Sequence, residues 1–141
     1  MEHHESTGFI LPGGNGLLFS DYGDGLFLMA GEIKCLGAIV VTVLKVLMAM
    51  DEDPKDPKVM TIAYSYNAKV EGRGNIVRYD SPHAPTHNPF HHVHRYDVFA
   101  EAGDDQGTVG EIKDGDQPTI GGLLAELEVF YYQNIERLPK V

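Results

Sequence analysis

The chain has 141 residues, a length that favours one domain with a real core, and its 43% hydrophobic and 23% charged residues exclude wholesale disorder. The formal net charge of −10 argues against broad, non-specific binding to nucleic acid, because phosphate contacts need clustered Lys and Arg side chains. It suits a partner that carries basic groups. The single cysteine, Cys35, cannot form an internal disulfide, which indicates a reducing, cytoplasmic setting.

The N-terminal third begins with a Gly-rich, polar segment and continues into apolar runs. We expect residues 1–16 to be flexible and residues 17–141 to form the single domain. The sequence DYGDG at 21–25 predicts a tight hairpin between two strands. The apolar run at 36–50 predicts a strand covered on both faces, with a buried helix as the alternative. That run is too short to span a membrane, which takes roughly 20 apolar residues, and Lys45 interrupts it.

The middle of the chain alternates between strand and turn signals. Two prolines among charged residues predict a loop at 51–58. Strict alternation at 59–70 predicts a half-buried strand, and residues 76–80 are predicted to pair with it after a turn. The proline-rich histidine segment then leaves the sheet, and residues 91–100 are predicted to re-enter it as a strand. A weak edge element is expected at 108–116.

The C-terminal region predicts a helix over 119–134, with Thr119 as its N-cap. Apolar residues recur on one face at helical spacing, which is typical of a core-facing stripe; they are Ile120, Leu123, Leu124, Leu127 and Tyr131. The expected fold is therefore α+β, an antiparallel β-sheet with a C-terminal helix packed on one face.

Five of the seven histidines lie in the stretch RYDSPHAPTHNPFHHVHRYD at 78–97. Alternate residues of a strand share a face, so His92 and His94 are predicted to point the same way, with His91 opposite. One interpretation is a site for a divalent ion such as Zn²⁺. Its candidate ligands are His87, His91, His92 and His94, with His83 as a further loop ligand and a carboxylate oxygen from Asp80 or Asp97.

The other interpretation is acid–base chemistry without a metal. Two imidazoles can divide the proton transfers of RNA cleavage, one as base and one as acid. Arg78 or Arg95 would hold the phosphate and stabilise its developing charge. Tyr79 or Tyr96 would stack on a base or donate a hydrogen bond. Spacing alone leaves both interpretations open.

The motifs YSYN, IVRYDSPH and NPFHHVH, followed by GGLLAELEVF, resemble the TumE family of prokaryotic toxins. The resemblance covers about residues 17 to 135 and is most specific at 78–94. Its pattern falls on Arg78, Tyr79, Asp80, Pro82, His83, Pro89, His91 or His92, and His94. The sequence departs from the pattern at Ser81, where the family usually has Asn.

This resemblance implies the toxin of a type II toxin–antitoxin pair, acting on RNA as a ribonuclease, with a helix-turn-helix antitoxin as its partner. The catalytic candidates are then His83, His92, His94, Arg78 and Asp80, with Tyr79 and Arg95 as substrate-binding residues. Asp80 would orient an imidazole by accepting its second N–H. The alternative is a non-catalytic metal-binding or protein-interaction domain, in which the run at 36–50 contributes to a homodimer or antitoxin interface.

Overall fold

The computed structural model describes residues 8–50, 58–82, 91–113 and 115–140. Within these residues the chain forms eight strands and one α-helix. They are β1 Ile10–Asn15, β2 Leu18–Gly23, β3 Leu26–Cys35, β4 Ile39–Met50, β5 Lys58–Val70, β6 Gly74–Asp80, β7 His91–Arg95, β8 Thr108–Ile112 and α1 Ile120–Gln133. The predicted loop at 51–58 lies outside the described residues except for Lys58, which begins β5.

The strands form one antiparallel sheet in the order β1-β3-β4-β5-β6-β7-β8, and β2 pairs with β3. From β3 onward each strand pairs with the next one in the sequence, so the sheet is a simple meander. The sheet dominates the fold, and the predicted α+β class holds in this sheet-rich form.

The predicted strands from residue 21 onward are largely confirmed. Asp24 and Gly25 join β2 to β3 with φ values of 56° and 79°, the left-handed pair that a type I′ hairpin turn needs. The run at 36–50 forms strand β4 rather than a helix, in keeping with its β-branched centre. Coverage of both faces holds near Val40 but not further along, because Leu44 is 46% exposed.

The expectation of a flexible segment over 1–16 is wrong for its second half. Residues 10–15 form β1, which pairs with β3. Phe9 is fully buried, and its carbonyl oxygen accepts a hydrogen bond from the Leu36 amide. The ordered sheet therefore begins before residue 17.

The two faces of the sheet differ in composition. The core face carries apolar and tyrosine side chains, namely Ile33, Val41, Val43, Tyr66, Ala68, Val77 and Tyr79. The opposite face, called the open face below, carries polar side chains on its β5–β7 part. Leu123, Leu124 and Leu127 of α1 belong to the same buried cluster as the core face. Burial of each such side chain contributes about 1.5–3 kcal/mol.

Helix α1 begins as predicted. The Thr119 side chain accepts a hydrogen bond from the Gly122 amide at 2.9 Å and so caps the first turn. Among the described residues, no helix is both long enough and apolar enough to cross a membrane.

Candidate functional site

Strand pairing brings four polar residues together on the open face. In the antiparallel pair of β6 and β7, Asp80 lies opposite His92 and Arg78 lies opposite His94. Directly opposite residues share a face, and so do alternate residues of one strand. All four side chains therefore stand on the open face, and the prediction that His92 and His94 share a face is confirmed.

The cluster of these four residues is centred on one carboxylate oxygen. Oδ2 of Asp80 lies 2.8 Å from Arg78 Nε, 3.5 Å from His92 Nε2 and 4.0 Å from His94 Nε2. The imidazole rings of His92 and His94 meet edge to face, with 5.1 Å between their centroids. One carboxylate oxygen thus faces three nitrogen groups.

Asp80 is held in place although it is only 1% exposed. Ser65 lies opposite Asp80 on β5, and its hydroxyl group donates a hydrogen bond to Oδ1 of Asp80 at 2.8 Å. The second oxygen, Oδ2, is buried and accepts no well-aligned hydrogen bond from the residues that the structure describes. The contact with Arg78 is an ion pair without that alignment. A buried carboxylate needs such partners, because desolvation of the charge is costly.

Exposure within the cluster is graded. The side chains of Asp80 and His92 are 2% and 4% exposed, whereas those of His94 and Arg78 are 24% and 44% exposed. A bound molecule can therefore reach His94 and Arg78, while Asp80 and His92 support them from beneath. Such an arrangement can bind an anion at the guanidinium and exchange a proton at the outer imidazole.

Tyr96 accompanies the cluster. Its ring stacks on that of His94, with 6.3 Å between centroids and 15° between planes. Tyr96 follows β7 two residues after His94, so it continues the same face. Of the two tyrosines proposed from the sequence to stack on a base, this is the one beside the outer imidazole.

His91 lies on the opposite face of β7, as the alternation predicts. Its Nδ1 lies 2.9 Å from the Tyr64 hydroxyl, and its Nε2 lies 3.3 Å from the Gln117 amide nitrogen. The three residues line a cavity of about 460 Å³ together with Lys45. The predicted four-histidine metal set is wrong for His91, which faces away from His92 and His94. His87, its fourth member, lies outside the described residues.

Tyr79 and Arg95, the predicted substrate-binding residues, are also absent from the open face. The Tyr79 hydroxyl donates to Glu126 Oε1 at 2.6 Å, and the Arg95 guanidinium donates to Glu126 Oε2 at 2.8 Å. Burial, followed by the hydrogen bond to Glu126, raises the pKa of Tyr79 to about 12. Both residues contact helix α1, so the structure does not bring them to the cluster where they were expected to bind substrate.

The remaining candidates divide between described and undescribed residues. His83 lies outside the described residues. Asp97, considered as a carboxylate ligand, instead accepts a hydrogen bond from the Phe99 amide in its own loop. Burial raises the pKa of the Cys35 thiol to about 12, which fits a core residue and not a nucleophile.

Two residues of the open face were not predicted from the sequence. Ser65 anchors Asp80, and Glu111 of β8 lies opposite His92 with its side chain exposed. Ser65 carries no chemical signature of its own in the sequence; only the strand register connects it to Asp80. The alternation of YSYN, however, already separates Ser65 from the buried tyrosines.

Comparison with known proteins gives no match: no protein-family model, curated protein or solved structure matches the chain. A proposal of function therefore depends on the chemistry of the cluster and on the motif in which it lies.

Proposed function

We propose that the chain is the toxin component of a type II toxin–antitoxin pair, acting in the cytoplasm by cleaving RNA at the Arg78–Asp80–His92–His94 cluster. The observation that carries the proposal is the convergence of these four side chains, with the outer cation and outer imidazole both open to solvent. Further support comes from the RYDSPH and HHVH motifs, which resemble those of TumE-family toxins.

Arg78 is proposed to bind the phosphate. Its Nε faces Asp80, so its two terminal nitrogens are the ones that would bind the phosphate oxygens. A planar guanidinium suits this role, because it donates two parallel hydrogen bonds to a phosphate. It also stabilises the charge that develops on the phosphate oxygens as the attack proceeds.

His94 is proposed to accept the proton of the attacking hydroxyl. The 2′-oxygen of the RNA forms a bond to phosphorus, its proton passes to a ring nitrogen of His94, and the bond from phosphorus to the 5′-oxygen breaks. A second imidazole then protonates the 5′-oxygen. His83 is the candidate for that imidazole, while buried His92 positions His94 and Asp80 through the contacts described above.

The antitoxin is proposed to contact exposed apolar side chains on the middle strands of the sheet. Large apolar side chains are exposed there on β4 and β5, namely Leu44, Met48, Val59, Met60 and Ile62. Leu44, Met48 and Met60 share the open face, because Met48 pairs with Met60 and lies four residues from Leu44 on β4. Exposed apolar surface on one face of a sheet is typical of protein interfaces. A homodimer would use the same surface, and the mass of the purified chain in solution, measured by light scattering, separates the two assemblies.

Growth arrest tests the proposal. Induction of the wild-type chain should arrest growth, and His94→Ala or His92→Ala should relieve the arrest. His91→Ala is the matched control, because His91 lies on the same strand and faces the other way; this variant should still arrest growth. Immunoblots must show equal protein levels. Continued arrest by the His92→Ala/His94→Ala double variant would remove the proposed mechanism.

A further inference from the structure

The open-face cluster has the dimensions of a metal site. One ligand atom from each of Asp80, His92 and His94 can be chosen so that all three lie within 4.8 Å of one another. A tetrahedral ion with bonds of about 2.0–2.2 Å holds its ligand atoms roughly 3.3–3.6 Å apart. The distance between Asp80 Oδ2 and His92 Nε2 is already 3.5 Å, and that between Asp80 Oδ2 and His94 Nε2 is 4.0 Å. Small side-chain rotations would complete the triad.

An independent observation points to a ligand at the same position. Within the described parts of the chain, Oδ2 of Asp80 is buried and accepts no aligned hydrogen bond, although the other oxygen of this carboxylate accepts one from Ser65. Buried polar atoms are nearly always satisfied, so an unsatisfied one calls for a missing partner. The atom faces both imidazoles, and a cation bound there would satisfy it.

We propose that Asp80, His92 and His94 bind one divalent transition-metal ion of the Zn²⁺ class, through Oδ2 and the two Nε2 atoms. Two imidazoles with one carboxylate favour Zn²⁺ over Mg²⁺ or Ca²⁺, which prefer all-oxygen ligand sets. The partly exposed side chain of His94 leaves the fourth position open to water. This ligand set differs from the four-histidine set that the sequence suggested.

Arg78 opposes the ion. Its Nε lies 2.8 Å from the same Oδ2 atom, so the guanidinium and the metal compete for one oxygen, and the two cations repel each other. The competition predicts moderate affinity in the wild-type chain. It also gives the site a signature that histidines elsewhere on the surface do not have.

The ion would regulate the proposed RNA cleavage, and this part of the inference rests on that function. A neutral imidazole that binds a metal through Nε2 carries its proton on Nδ1, so neither nitrogen has a lone pair left to accept another proton. The ion-bound form is therefore inactive in acid–base cleavage, and the ion-free form is active. Binding itself is measured without RNA, so the two proposals can fail separately.

Isothermal titration of the full-length, tag-free chain with ZnCl₂ tests the binding. We expect one ion per chain. In His94→Asn the Zn²⁺ affinity should fall at least as much as when a group that hydrogen-bonds to a metal ligand is removed, which is about 10–100-fold. His91→Asn is the matched control and should keep wild-type affinity, because His91 faces the cavity beside Tyr64. MgCl₂ should give no binding heat. Equal losses in His91→Asn and His94→Asn would overturn the site.

Arg78→Gln should change Zn²⁺ affinity in the direction opposite to that of His94→Asn. Removal of the competing cation should tighten Zn²⁺ binding on the order of ten-fold, whereas adventitious binding at His3 and His4 would not change. Unchanged affinity in this variant contradicts the assignment of Asp80 Oδ2 as a ligand. Circular dichroism spectra of both variants should match the wild type, which excludes misfolding as the cause.

An RNA-cleavage assay tests the regulation. ZnCl₂ at saturating concentration should inhibit cleavage, and EDTA should restore it. Stimulation by Zn²⁺ would overturn the inhibitory role. A chain that binds Zn²⁺ in the titration but cleaves no RNA under either condition would reject the proposed function and leave the metal site standing.

Discussion

The two faces of β7 place neighbouring histidines in opposite environments. His92 and His94 face a buried carboxylate and a partly exposed guanidinium. His91, one residue before His92, lies on the opposite face of the sheet, where it contacts a tyrosine hydroxyl and a glutamine amide. The chemistry available to an imidazole in this segment is thus set by the parity of its position in the strand. A count of histidines along the sequence does not reveal that difference.

The polar groups of the two faces also differ in how well they are satisfied. On the core face, Glu126 receives hydrogen bonds from both Tyr79 and Arg95, which ties α1 to the sheet. On the open face, Asp80 keeps one buried oxygen without an aligned hydrogen bond. A satisfied network stabilises a fold, whereas an unsatisfied buried atom is typical of a site that awaits a ligand. The comparison predicts stability effects on one face and functional effects on the other.

The largest loss of stability is expected from the core face. Leu124 is fully buried, so Leu124→Ala should lower the free energy of unfolding by about 2–5 kcal/mol through lost burial and the cavity left behind. His94→Asn, with a partly exposed side chain, should change it by less than about 1 kcal/mol. Urea denaturation measures both. A loss in His94→Asn as large as that in Leu124→Ala would break the division between the faces.

Alkaline pH is expected to give the second-largest loss in the free energy of unfolding, again through the core face. Burial, which is the largest cause in each case, raises the pKa values of Tyr64, Tyr66 and Tyr79 to about 12, from the ordinary tyrosine pKa of about 10. The folded state then holds these protons at pH values where the unfolded state has released them. The stability contributed is fully present below pH 10 and is lost as pH rises towards 12.

Urea denaturation at pH 8, 10 and 11 measures this effect. The free energy of unfolding should fall across the series, and Tyr66→Phe should flatten the fall, because phenylalanine has no proton to lose. A free energy that stays constant up to pH 11 would contradict the burial of these hydroxyl groups.

Among the core-face predictions, the smallest effect on stability is expected from Glu126→Gln. Tyr79 and Arg95 would lose their charged acceptor, but the Arg95 and Glu126 side chains are 55% and 36% exposed, so solvent screens the ion pair. We expect a loss of about 1 kcal/mol in the free energy of unfolding. Zn²⁺ affinity and growth arrest should be unchanged, and a change in either would connect the helix contacts to the cluster.

Local patterns in the sequence predicted most of the sheet and the helix. The Asp-Gly turn, the alternation of β5 and the Thr119 cap each depend on neighbouring residues. The turn and the cap are confirmed, and the alternation is confirmed over residues 63–70 but not over 58–62, which are exposed on both faces. The sequence did not predict strand β1. Its pairing with β3 is irregular, and Gly13 within the strand has a φ of 70°. Nothing in the segment ILPGGN shows the alternation that identifies a strand.

The candidate site was predicted in part. Alternation placed His92 and His94 together, and the RYD motif supplied Arg78 and Asp80. The same rule separates Tyr79 from its neighbours, because adjacent residues of a strand point to opposite faces. Ser65 and the missing partner of Asp80 Oδ2 required the register of β5 on β6, which depends on contacts distant in the sequence.

RNA cleavage by purified, tag-free protein in EDTA tests the central claim most directly, with His94→Asn and His91→Asn compared in the same assay. If His94 on the open face is the proton acceptor, the cleavage rate should fall by about 10²–10⁴-fold in His94→Asn. This is the usual rate contribution of a general acid or base. His91→Asn should keep a rate close to that of the wild type. Cleavage that survives in His94→Asn, or that is lost equally in His91→Asn, would contradict the placement of the chemistry on the open face.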